Sequence, residues 1–162
     1  MVADLIALDN ASRIWIYQAD RHIEDAERYE MQTHMHQFLS SWTAHSAELK
    51  AYGNLFHSRF LTIFADESQT SASGCSIDKS VHFVEQLGTH YQVDFFNRML
   101  FSYFDDQEHV HTVDQAGLKQ AYSDGHIHEE TLVFDHLVKN KGQFLAEWVK
   151  PLQDSWLKRF VI

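Results

Sequence analysis

One cysteine, one proline and six glycines are all that 162 residues contain of the types that staple, break or loosen a chain. The single cysteine, Cys75, excludes an internal disulfide and any zinc or iron–sulfur site built from several thiolates. So little proline and glycine leaves no long flexible linker to expect. No stretch approaches the ~20 consecutive apolar residues that a membrane-spanning helix needs. Basic residues are also scarce, 13 Lys and Arg against 23 Asp and Glu, for a formal charge of -10. Nucleic-acid binders carry a basic footprint, and only Lys158-Arg159 approaches one, so neither nucleic acid nor an anionic membrane is an expected partner. The opening MVADLIALDN sets acidic residues where a secretory signal needs basic ones; the expectation is a soluble cytoplasmic protein.

What the chain does have is apolar and aromatic substance. Hydrophobic residues make up 44% and aromatics 14%, enough for one domain over residues 1–162 with a substantial core. Ile14 to Tyr17 is continuously apolar and reads as a buried strand. From Ile23 to Trp42 the period becomes helical, with Met31, Met35, Phe38 and Trp42 on one stripe and Glu24, Asp25 and Glu27 at the dipole's positive end. Residues 51–57 and 59–65 read as two strands of a hairpin. Ile77, Val81, Val84 and Leu87 then repeat at helical spacing, with Gly88 as terminator, and residues 99–104 form a last strand. The order βαββαβ predicts an α+β fold with a ferredoxin-like core over about 12–104, its first and third strands central and parallel. Residues 105–162 are expected to add a β-hairpin, a short helix over 114–122, and a helix through Phe144 and Trp148 that Pro151 ends or kinks, all packed on that core.

Between the third strand and the second helix lies QTSASGCSIDKS, residues 69–80. Aligning Lys79-Ser80 with the end of a phosphate-binding P-loop puts Ser73 and Asp78 where both glycines should stand, so nucleotide hydrolysis is excluded on motif grounds. A reactive thiol is the second reading: Cys75 sits where helix amides favour a thiolate, Gly74 permits close approach, and His45 or His82 would serve as base. A third reading is a binding site. Parallel first and third strands would bring Asp20 and Arg21 beside Asp66, Glu67, Ser68 and the loop residues Ser73, Gly74, Ser76 and Asp78, a set suited to a small polar or anionic ligand. The plainest reading makes Ser73 or Ser76 a helix cap and Cys75 a small filler. Among twelve histidines, only His109 and His111 share a strand face, and an acidic surface hairpin explains them without a metal. No metal or other cofactor is expected.

The segments IWIYQADR, FLSSWTAHSAELKA, DESQTSASGCSIDKSVHFVEQLG and PLQDSWLKRF resemble an uncharacterised family of Bacteroidetes-type bacteria, of about this length and often labelled "ABC transporter ATPase". That label implies a Walker A loop and an ABC signature, which this sequence lacks, so the resemblance implies membership without the activity. The stretch GHIHEETLVF, residues 125–134, resembles a piece of GYF-type peptide-binding modules. Two function classes follow. One is a small ligand-binding or enzyme-like domain working around Cys75; the other is an interaction or homo-oligomerising module that presents the aromatic C-terminal region.

Overall fold

A computed structural model describes residues 1–162 as an α+β chain with four α-helices and three antiparallel sheets. No helix is long and apolar enough to cross a membrane. The chain divides into two compact units, Met1–Phe96 with Lys139–Gly142, and Asn97–Val138 with Gln143–Ile162.

In the first unit the apolar run at Ile14 becomes strand β1 (Arg13–Gln18), and helix α1 (Asp25–Ser41) follows. Two-residue strands β2 (Thr43–Ala44) and β3 (Ala47–Glu48) make a tight hairpin, with His45 and Ser46 left-handed at its tip. Strands β4 (Lys50–Phe56) and β5 (Phe60–Asp66) form the second hairpin, where His57 and Ser58 are both left-handed. Two such residues in a row suit the right-handed twist of paired strands. Helix α2 (Gly74–Tyr91) completes the unit.

The three long strands are ordered β1-β5-β4, and both pairings are antiparallel. This overturns the ferredoxin-like expectation, in which the first and third strands run parallel. A continuous apolar run marks a strand buried on both faces but carries no sign of its direction. One face of the sheet presents Ala51, Leu55, Leu61 and Ile63 to Met31, Met35 and Leu39 of α1 and to Val84 and Leu87 of α2. Close approach is built in at Gly53, where an added Cβ would lie 2.7 Å from Met35 Cε and 2.8 Å from Leu39 Cδ1.

Gly88 does not terminate α2. It lies inside the helix, three residues before the end, where an added Cβ would fall 2.6 Å from the Val93 carbonyl oxygen. The left-handed residue that ends α2 is Gln92, and the Val93 amide returns to donate to the Gly88 carbonyl at 2.9 Å. The glycine is therefore needed for the chain's return, not for the stop.

The second unit contains β6 (Leu100–Phe104), β7 (Val110–Asp114), α3 (Gln115–Ser123), β8 (Leu132–Phe134) and β9 (Val149–Pro151), in a sheet ordered β7-β6-β8-β9. The strand expected to close the first core thus founds a separate sheet, because its polar turn folds it straight onto β7. Helix α4 (Lys141–Glu147) stops before Pro151, which lies in β9 opposite Leu132 rather than in a kinked helix. Phe101, Tyr103, Leu118, Val133, Leu152 and Leu157 form this unit's core.

His136 is held neutral in the second unit. Its Nδ1 accepts a hydrogen bond from the Trp148 indole at 3.1 Å, and desolvation pushes its pKa down to about 4 from an ordinary 6.5. The unfolded chain therefore takes up the proton first, so this contribution to stability is complete above pH 6.5 and is lost as pH falls toward 4. The urea midpoint is expected to fall between pH 7 and pH 5 less steeply in a His136→Asn variant than in the parent. Equal slopes would show that His136 does not carry the effect.

Candidate functional site

The antiparallel sheet separates residues that a parallel one would have joined. Gln18, at the end of β1, pairs with Phe60, while Arg13 pairs with Ala65, so Asp66 emerges at the opposite end of the strand pair. Asp20 and Arg21 consequently do not reach the loop around Cys75. Asp20 accepts the Asp94 amide through Oδ1 at 3.0 Å and donates its own amide to the Asp94 carbonyl at 3.1 Å. Arg21 makes a two-pronged pair with Glu27, at 2.9 and 2.8 Å, and its Nη2 also donates to the Tyr91 carbonyl at 2.7 Å. The bond to Glu27 raises the Arg21 pKa, and the same bond lowers that of Glu27. Arg21 therefore ties the first turn of α1 to the last residue of α2. Cys75 lies sixteen positions back along α2 from Tyr91, roughly 24 Å of helix axis from that clamp.

The loop residues are occupied locally. Asp66 Oδ1 accepts the Ser68 amide at 2.9 Å, and bonding from Ser68 lowers its pKa, with Lys50 Nζ 4.0 Å from the other oxygen. Glu67 accepts the Ala72 amide at 2.8 Å. Ser73 is the N-cap of α2: its Oγ accepts the Ser76 amide at 3.1 Å, and the buried Ser76 hydroxyl donates to the Ser73 carbonyl at 2.8 Å. The capping reading is thus the one the loop's bonds express. Gly74 is exposed, and an added Cβ there would meet nothing within 4 Å, so no close approach depends on it. Cys75 is exposed rather than a buried filler. Asp78 is exposed as well, one turn further along the helix.

Cys75 opens onto a groove between α1 and α2. A cavity of about 590 Å³ is lined by Phe38 and Trp42 from the α1 side and by Cys75, Lys79, His82 and Phe83 from α2. A second cavity of about 440 Å³ continues along the same helices past Phe38 and Phe83 to His34 and His90. Its apolar floor is the Phe38–Phe83 pair, stacked face to face with centroids 4.5 Å apart and planes 5° from parallel. Trp42 is buried at the end of α1, and its indole donates to the Ser76 carbonyl at 2.8 Å, which fixes the two helices against each other beside Cys75.

The geometry bears on the choice between nucleophile and binding surface. His82 shares the groove with Cys75, but it lies seven residues on, roughly 10 Å along the helix, where hydrogen-bond contact between a base and its nucleophile requires about 3 Å. The His82 ring lies 3.5 Å from Glu85 and 3.3 Å from Gln86. His45, the other candidate base, sits at the tip of the β2–β3 hairpin and is not among the groove's lining residues. An aromatic floor with polar side chains along its rim suits binding better than thiol activation.

Sequence reasoning missed Phe38 and Phe83 as a pair. Phe83 falls outside the stripe of Ile77, Val81, Val84 and Leu87, and that displacement was the available signal. Of the C-terminal aromatics in the alternative reading, Trp156 and Phe160 are half-buried and pack against the core of the second unit, 5.9 and 5.0 Å from Phe101. Comparison of the chain with protein-family models, curated proteins and solved structures finds no match.

The cap gives a direct expectation. Ser73→Ala should destabilise the protein by about 0.5–2 kcal/mol in urea denaturation, since it strands the Ser76 amide at the start of α2. No loss would mean that the hydroxyl network around Ser76 is not what starts the helix.

Proposed function

We propose that the chain is a soluble small-molecule-binding protein, with the ligand held in the α1–α2 groove and no covalent step at Cys75. The observation that carries this reading is the half-buried Phe38–Phe83 stack, which forms a flat apolar floor between polar rims. A planar or apolar ligand body would rest on that floor, and its polar end would meet Lys79 and the exposed first turn of α2. The family resemblance of the central segment fits this placement, because it covers Cys75, Lys79, His82 and Phe83. The reading keeps the expectation of a cytoplasmic protein and gives up the Arg21 end of the expected site.

A fragment screen by thermal shift tests the proposal, with iodoacetamide labelling of Cys75 as a local reporter. Genuine hits are expected to slow labelling in the parent, to bind Cys75→Ser as they bind the parent, and to bind Phe83→Ala at least tenfold more weakly (about 1.4 kcal/mol). Hits that bind Phe83→Ala unchanged would remove the groove from consideration.

A further inference from the structure

We infer that Arg59, at the turn joining β4 and β5, anchors a second site, one that takes a small oxyanion such as a carboxylate or phosphate group. The backbone around it is fixed on three sides. The Arg59 amide closes the hairpin by donating to the Phe56 carbonyl at 3.0 Å. Its own carbonyl accepts the Ala19 amide at 2.8 Å, and the Ser58 carbonyl accepts the Ile23 amide at 2.8 Å, so the turn is bound to the segment that follows β1.

On this rigid turn the side chain is half-buried, and Nε is a fully enclosed donor with no hydrogen-bond acceptor. Other arginines show what compensation looks like in this chain. Arg21 holds Glu27 with two bonds, Arg28 lies 3.4 Å from Asp25, and Arg13 stacks 4.8 Å over Trp15. Arg59 has no such partner, although carboxylates outnumber cationic side chains 23 to 13. Desolvation is the one influence on its ionisation, with no carboxylate opposing it. A guanidinium nonetheless stays protonated across the neutral range, so the charge remains and Nε is a donor left for an incoming acceptor.

Guanidinium chemistry identifies the ligand class. The edge formed by Nε and one Nη presents two parallel donors, which match two oxygens of a carboxylate or phosphate. A monatomic anion meets the two parallel donors with a single acceptor and so bends both bonds, whereas two oxygens meet them in line. This site does not depend on the α1–α2 groove, since none of the groove's lining residues belongs to the turn.

The experiment is a titration of the full ¹⁵N-labelled chain, following the Arg59 Nε–Hε cross-peak, assigned by its loss in Arg59→Lys. Sodium phosphate, sodium acetate and sodium chloride are compared at constant ionic strength. The cross-peak is expected to shift saturably with phosphate, acetate or both, which assigns the oxyanion class, and to stay in place with chloride. Thermal unfolding supplies the second measurement. The effective oxyanion should raise the melting temperature of the parent and leave that of Arg59→Met unchanged. Arg59→Met without added anion should be at least as stable as the parent, since it removes an uncompensated charge. The inference is overturned by a cross-peak that ignores both oxyanions or follows chloride equally, or by equal stabilisation of Arg59→Met. Should Arg59→Met fail to fold, the cross-peak titration decides alone.

Discussion

Strand β5 is buried from Phe60 to Asp66 and hydrogen-bonded along both edges, and the first unit is arranged around it. Both neighbours run against it, so the end of β1 lies beside the start of β5 and the start of β1 beside its end. That reversal sends Asp20 and Arg21 away from the β5–α2 loop. It delivers them to the far end of α2, where Arg21 meets the Tyr91 carbonyl. A cation at that place also complements the negative end of the helix dipole. The residue that reads from sequence as a ligand-binding arginine is spent on holding two helices together.

Three contacts space the helix pair along its length: Arg21 with Glu27 and Tyr91, Phe38 with Phe83, and Trp42 with Ser76. The outer two are directional hydrogen bonds to backbone carbonyls, which fix distance. The middle one is a ring stack, which leaves the ring edges and rim open. The groove therefore follows from how the helices are pinned at their ends.

Much of this was legible residue by residue, and little of it in the assembly. The helical periods placed α1 and α2 within a few residues of their bounds, and the hydroxyl-rich stretch before Ile77 announced the cap that Ser73 makes. Strand direction was not legible, because Ile14–Tyr17 and Phe60–Ala65 would be equally apolar in a parallel or an antiparallel sheet. The expected site divides for that reason: Asp20 and Arg21 follow one end of β1, while Asp66 and the loop that leads into α2 leave from the opposite end of the strand pair. Pro151 and Gly88 misled in a related way. Each is a breaker by type, yet Pro151 has a strand position that tolerates it, and Gly88 sits in the helix where a returning backbone needs the room. Residue type states what a position permits, and only the tertiary contact states which permission is used.

The contrast between Cys75 and Arg59 shows which polar groups carry information about ligands. An exposed thiol is solvated, costs nothing to leave unpaired, and is equally consistent with a site and with none. An enclosed guanidinium donor has lost its water and gained no acceptor, so its persistence calls for a compensating partner. The charge of -10 sharpens the point. At physiological salt the field of the whole protein decays over about 8 Å, so it repels anions only weakly in solution. A desolvated contact is screened far less, and its strength is set by the local pair of groups. An acidic protein that takes an anion must therefore do so at a short-range, partly buried, geometrically fixed cation, and the β4–β5 turn holds Arg59 in that condition.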